Sequence, residues 1–255
     1  MIKLKTKDDI KILREGGHRH AEIMRLLTRK VAPGVSTKEL DDYAAKLVAQ
    51  GGDTAAFLNY RPRGAKRPYP ASLCVSINDE IVHGIPNEHS RVLKEGDIVS
   101  LDLGLVHKGL VTDMAVTVPV GRIDEASARL LRVTEAALYK GIDAARGGGK
   151  TGDIGTAIER FVSPEGYGIV EELCGHGVGY SVHEDPYVPN VGVAGRGDTL
   201  SPGLVIAIEP MLNLGGKEIV LDKDGYTYRT EDGSRSAHFE HTILITKSEA
   251  EILTN

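Results

Sequence analysis

The stretch over residues 96–120 limits this chain more than any other. It reads Gly-Asp-Ile-Val-Ser-Leu-Asp-Leu-Gly-Leu-Val-His-Lys-Gly-Leu-Val-Thr-Asp-Met-Ala-Val-Thr-Val-Pro-Val. Val99, Leu101, Leu103 and Leu105 alternate with Ser100, Asp102 and Gly104, the period-two pattern of a strand with one buried face. After His107-Lys108-Gly109 the alternation resumes, with Met114, Val116 and Val118 set against Asp113, Ala115 and Thr117. A four-residue loop over 106–109 would fold the two runs into a hairpin with Asp102 directly opposite Asp113. Carboxylates whose Cβ atoms lie roughly 4.5–5.5 Å apart repel each other. Two solvated acids on an open hairpin face are one reading. A shared proton or a bound cation is the other.

The remaining composition narrows the class. The chain is 41% hydrophobic and 26% charged, the balance of a soluble globular protein long enough for a substantial core. A net charge of −5 gives no footing for nucleic acid or an anionic membrane. The first residues, Met-Ile-Lys-Leu-Lys-Thr-Lys-Asp-Asp, lack the apolar centre of a signal peptide, and no apolar run is long enough for a membrane span. Cys74 and Cys174 do not make a disulfide framework, which fits a reducing cytosol.

Helix signals fall in both halves. Thr6 caps a helix to about Val31, although Gly16-Gly17 interrupts its pattern. Ser36-Thr37-Lys38-Glu39 is a capping box for a second helix that stops at Gly51-Gly52. The segment 59–70, rich in Arg, Lys and Pro, reads as a solvated loop rather than a cover over a site. Cys74-Val75-Ser76-Ile77-Asn78 reads as a strand. Asp124 caps a third helix to about Arg146, and a fourth covers about 152–162. Between them, Gly147-Gly148-Gly149-Lys150-Thr151 lacks the first glycine of a phosphate loop and follows a helix, so it reads as a flexible joint. Acid-bearing strand pairs on both sides of the joint suggest a duplicated architecture without a residue-level repeat.

The second half carries stronger chemistry. His176 and His183 stand seven residues apart in the glycine-rich run 174–186. Glycines let the backbone approach closely, so imidazoles there can be aimed at one point. Glu209 lies in the apolar strand Leu204-Val205-Ile206-Ala207-Ile208-Glu209-Pro210-Met211-Leu212, where an acid needs a partner. Glu240 repeats this in His238-Phe239-Glu240-His241-Thr242-Ile243-Leu244-Ile245. Asp102, Asp113, Glu209 and Glu240 carry charge to balance two divalent cations, and His176 adds a nitrogen. Hard oxygens with one imidazole suit Mn, Fe(II), Co or Zn. Two such ions about 3.5–4 Å apart would share a water acidic enough to serve as nucleophile.

These positions and their flanks closely resemble the type I methionine aminopeptidases, in their short bacterial-like form, over nearly the whole chain. The resemblance rests on residues 74–86, 97–113 and 174–186, on Ile208-Glu209-Pro210-Met211 and on Phe239-Glu240-His241-Thr242. It implies an α+β architecture of the pita-bread (creatinase/aminopeptidase) type: two pseudo-symmetric α/β halves around a curved antiparallel sheet, forming one catalytic domain over 1–255. Two divalent ions (Co, Mn, Fe(II) or Zn) would sit on the concave face. Asp102 would chelate one of them, Asp113 and Glu240 would bridge both, and His176 and Glu209 would complete the other. His83 matches the histidine near the scissile amide, and His183 the one that donates to the substrate carbonyl oxygen. Glu209 would also carry a proton from the bridging water to the leaving amine. The implied reaction removes the N-terminal methionine before a small second residue. Its substrate is a peptide or nascent-chain N-terminus, met in the cytoplasm with transient ribosome contact. The enzyme would be a monomer, with no nucleic-acid or membrane partner.

The substrate pocket departs from the pattern. Tyr69 and Cys74 match pocket positions, whereas Tyr226 stands where many members carry Trp, Val182 where bacterial members carry Phe, and His238 where Gln is common. Lost aromatic bulk at Val182 and Tyr226 would widen the pocket and alter the preferred first residue, unless Phe57 or the 59–70 loop refills it. Prolidase, aminopeptidase P and creatinase share the scaffold but usually add an N-terminal domain, for which the strand starting at Cys74 leaves no room. Type II methionine aminopeptidases insert a helical subdomain where only 25 residues separate His183 from Glu209. A non-catalytic pita-bread binding module is the reading from another class. Such modules lose their ligands, whereas this chain keeps all five, with His83 and His183 besides.

Overall fold

The computed structural model describes residues 2–62 and 64–255; Met1 and Arg63 lie outside the described residues. Its helices start where side chains satisfy their free N–H groups. The Thr6 hydroxyl accepts from the Asp9 amide, and the Asp9 carboxylate accepts from the Thr6 amide, opening α1 (Lys7–Lys30). Ser36 and Glu39 make the same reciprocal pair before α2 (Thr37–Gln50). Asp124 accepts from the Ser127 amide at the start of α3 (Glu125–Ala144), and α4 (Thr151–Val162) follows. The glycine joint between α3 and α4 is tied at both sides: the Gly148 amide donates to Leu200 O at 2.8 Å and the Gly147 amide to Ser248 O at 3.4 Å.

Nine strands make one antiparallel sheet among the described residues. Its main path runs Thr54–Ala55, Ile98–His107, Leu110–Pro119, Glu240–Ile245, Val205–Ile208, Gly175–Gly177, Glu184–Val188. Cys74–Ile77 also pairs with Ile98–His107, and Ala250–Ile252 with Glu240–Ile245. One face is apolar and covered by helices in two sets. Leu27, Leu40 and Ala44 of α1 and α2 pack with Val99, Leu101, Leu103 and Leu105. Leu130 and Ala137 of α3 and Ile154 and Ile158 of α4 pack with Ile206, Ile208, Ile243 and Ile245. Each half of the sheet therefore has its own helix pair, the duplication that the sequence hints at without a repeat.

The hairpin differs from its expected form. His107 pairs with Leu110, so the loop is the two residues Lys108-Gly109, with φ of 48° and 84°. That is the conformation whose twist matches two right-twisted strands, and it shortens the loop from the expected four residues. The register moves with it: Asp102 faces Ala115, and Asp113 faces Gly104. The acids are diagonal neighbours instead of direct partners. Moving the register by an even number of residues keeps both on one face. That face does not meet water, because Asp102 and Asp113 are only 7% and 3% exposed.

The Gly16-Gly17 interruption of α1 is used by the fold. A Cβ on Gly17 would lie 2.1 Å from the backbone oxygen of Leu253, so only glycine lets the chain's last residues pass across this helix. In an open helix Gly→Ala stabilises, by about 0.4–1 kcal/mol. Here Gly17→Ala should instead destabilise by about 1–3 kcal/mol, the usual cost of overpacking. The midpoint of urea unfolding measures this, and an unchanged or higher midpoint would contradict the close approach.

Candidate metal centre and substrate cavity

Register alone assembles most of the site. Asp102 lies opposite Ala115, and Ala115 opposite Glu240 on the next strand. His241 opposes Ile208, so Glu209, one residue further on, arrives beside Glu240. His176 comes from the short strand Gly175–Gly177, whose Gly177 pairs with Ile206. A Cβ on Gly175 would lie 2.3 Å from Ala207 O, which is why this strand can nest tightly enough to bring His176 in.

The His176 ring is oriented by a hydrogen bond from Nδ1 to Gly177 O at 2.9 Å. That fixes the tautomer and leaves the Nε2 lone pair facing Glu209 Oε1 at 3.5 Å and Asp113 Oδ2 at 4.0 Å. Asp113, His176 and Glu240 each offer a ligand atom within 4.8 Å of the others, a group that could hold a metal ion. Asp113 is itself anchored. Its amide donates to Thr242 Oγ1 at 2.8 Å, and that hydroxyl donates back to Asp113 O at 2.7 Å. Asp102 Oδ1 and Glu240 Oε1 are buried with no hydrogen-bond partner. Buried carboxylate oxygens pointing at other carboxylates fit cations and little else.

The electrostatics say the same. Burial raises Asp102 to about 7. Burial, with the neighbouring carboxylates added, raises Asp113, Glu209 and Glu240 well above the ordinary range. Burial moves the imidazoles the other way, His176 to about 3 and His83 to about 4, and it lowers His183. All three are therefore neutral donors or acceptors at neutral pH. His83 holds a left-handed backbone at φ 60°. The Ser76 hydroxyl accepts from the next amide, Gly84 N, at 3.1 Å, and Gly84 O accepts from Val75 N at 2.9 Å. Such a conformation costs on the order of 1–3 kcal/mol and persists only where its surroundings enforce it.

Asp102, Asp113, Glu209, Glu240, His176, His83 and His183 all line one cavity of about 80 Å³, together with Phe57, Tyr60, Pro62, Tyr69, Cys74 and Tyr226. It adjoins a cleft of about 670 Å³ that shares Tyr60, Pro62, His83, His176, His183 and Glu209. Among the pocket positions, Tyr69 stacks edge-on against Tyr226 at 5.2 Å, and its hydroxyl donates to Gly84 O at 2.9 Å. Burial pushes the Cys74 thiol up, so it meets a ligand as a neutral group. Val182 packs in the same apolar cluster but does not line the cavity.

The 59–70 segment is the main correction. It is not simply solvated: Tyr60 and Pro62 form part of the cavity wall, and the Tyr60 hydroxyl is hydrogen-bonded to His183 Nδ1 at 2.9 Å. Arg67 holds the segment down, with its backbone oxygen bonded to the Tyr226 hydroxyl and its guanidinium forked onto Glu88. The charge of this segment points to solvent, whereas Tyr60, an aromatic residue beside its basic ones, carries it onto the cavity. Phe57 and Tyr60 stand on the cavity wall beside Tyr69 and Tyr226.

A curved antiparallel sheet with helices on one face and a buried acid cluster on the other defines a metallohydrolase scaffold. The model of metallopeptidase family M24 matches residues 11–247. The chain is 43% identical over 255 residues to a methionine aminopeptidase of Aquifex aeolicus, covering 99% of this chain and 98% of that one. It is 43% identical to methionine aminopeptidase 1 of Bacillus subtilis, covering 100% and 99%. It superposes on the crystal structure of methionine aminopeptidase from Thermotoga maritima with a TM-score of 0.94, at 40% identity and full coverage of both chains. The chain belongs to metallopeptidase family M24, with its pita-bread fold, and within it to the methionine aminopeptidases.

The carboxylate shifts carry a sign. A buried acid raised above its unfolded value binds protons more tightly in the folded state, so its stabilisation is complete below about pH 4 and is lost as pH rises through the folded value. Without cations the folded site should therefore weaken from about pH 4 to above pH 7. Removing metal with a chelator should lower Tm least near pH 4 and by more than about 4 °C at pH 8, because the loss accumulates between those values. Equal losses at both pH values in thermal melts would contradict this account.

Proposed function

We propose that this chain, acting as a single catalytic domain over residues 1–255, removes the N-terminal methionine from peptides and nascent proteins with a small second residue. The observation that carries the reading is the convergence of four acids, three buried and Glu209 nearly so, and three neutral imidazoles on one cavity walled by Phe57, Tyr60, Tyr69 and Tyr226. Asp102 would hold one divalent cation, Asp113 and Glu240 both, and His176 and Glu209 the other. When bound, such a pair supplies Lewis acidity and a water nucleophilic at neutral pH.

The chain's own groups do the rest. Glu209, with a carboxylate oxygen facing His176 and only partly buried side-chain surface, accepts the proton released in the attack and delivers it to the leaving amine. With the Tyr60 hydroxyl donating to His183 Nδ1 across their 2.9 Å contact, the proton would sit on Nε2, the nitrogen that would donate to the substrate carbonyl oxygen as negative charge develops there. His83, held in its strained backbone, stands on the same cavity wall and positions the scissile amide. The aromatic wall excludes water from the first residue's side chain and favours an unbranched, polarisable thioether. The cleft beyond takes the following residues.

Metal-free protein reconstituted with Mn, Fe(II), Co or Zn should cleave Met-Ala-Ser and leave Met-Lys-Ser intact. Among peptides starting Met, norleucine, Leu and Phe, the first two should be turned over fastest. Faster release of Phe would replace this reading with an aminopeptidase of altered preference, and no metal-dependent release at all would favour a binding module. Tyr60→Phe should lower kcat about 10-fold or more with KM nearly unchanged, since it removes orientation of a group that acts in the transition state. An unaltered kcat would remove Tyr60 from this role.

A further inference from the structure

His238 is buried beside the acid cluster, with its side chain 2% exposed, and neither ring nitrogen has a hydrogen-bond partner. Its backbone is firmly placed: the amide donates to Thr117 Oγ1 at 2.8 Å, and that hydroxyl donates to His238 O at 2.8 Å. Its Nε2 lies 3.6 Å from Glu209 Oε2 and 4.0 Å from Glu240 Oε2. These separations exceed a hydrogen bond. They do fall within the limit for two atoms that ligate one ion, which at about 2.1 Å each can be no more than about 4.2 Å apart. His176 Nε2 stands in the same relation to the cluster, 3.5 Å from Glu209 Oε1. The Glu209 carboxylate is thus flanked by two imidazoles, one at each oxygen.

We propose that His238 is a second imidazole donor to the cation held by His176 and Glu209, giving this chain a six-residue ligand set. The inference rests on the metal-dependent reading above and adds to it a metal preference. A second nitrogen in place of an amide or a water favours borderline ions such as Zn, Co and Fe(II) over Mn, which prefers oxygen. It also gives the buried Nε2 a partner that no protein group supplies, where an unpaired buried acceptor would cost free energy with no return.

The test is made on full-length metal-free protein titrated with Zn or Mn against a competing chelator, wild type beside His238→Gln. Zn affinity should fall about 10- to 100-fold in the variant, the scale of other metal-site perturbations, while Mn affinity should change by less than about 3-fold. Pulsed electron paramagnetic resonance of protein loaded with one equivalent of Cu(II) should detect two coordinated imidazoles in the wild type and one in the variant. A single imidazole in the wild type would overturn the inference even if the variant failed to fold, and so would equal losses of Zn and Mn affinity. Wild-type protein that binds no divalent cation would remove the underlying reading, and this one with it. Cation uptake with unchanged Zn preference would remove this one alone.

Discussion

Mutual repulsion among buried carboxylates is the constraint around which this structure is arranged. Asp102, Asp113 and Glu240 come from three separate strands and Glu209 from the residue just past a fourth, Val205–Ile208, and all four converge on one cavity. Burial and proximity push all four towards the protonated form. Four ionised acids at such spacing, without cations, would cost more than a domain's net stability can absorb. The chain tolerates the arrangement because a well-packed sheet with two helix pairs behind it fixes the strand register. The repulsion is thereby held in place and turned into affinity for positive ions.

Around that cluster, each auxiliary group is held by a local device. Gly177 O orients His176, Thr242 braces Asp113, and Tyr60 reaches over from a basic loop to His183. His83 is fixed by a left-handed backbone whose neighbours are tied to Ser76 and Val75. None of these devices is hydrophobic. They come after the packing and determine which nitrogen or oxygen of each side chain faces the cavity. Pre-organisation of this kind is where such sites gain rate, since groups already aimed need no rearrangement in the transition state.

Much of this was readable beforehand, and for physical reasons. Period-two alternation at 98–119, the N-cap at Thr6, the capping box at Ser36, and acids stranded in apolar runs at Glu209 and Glu240 are short-range signals that need no knowledge of tertiary contacts. The length of the hairpin loop is not legible in the alternation, because the Lys108-Gly109 turn demands two positive φ values, which a lysine does not advertise. The placement of the 59–70 loop is not legible either: its charge suggests solvent, whereas its position depends on Tyr226 and Glu88, remote in sequence. His238 could be named as a departure from the usual residue, but its relation to Glu209 was not legible.

By itself, the sequence determined the element types, the face on which each acid would lie and the chemistry of the donor atoms, because strand periodicity and side-chain identity are local properties. Tertiary structure decided the diagonal placement of Asp102 and Asp113, the arrival of Tyr60 on His183 and the flanking of Glu209 by His176 and His238. Those depend on strands and loops separated by tens of residues meeting in one register, and no local pattern specifies the distance between two groups that only packing brings together.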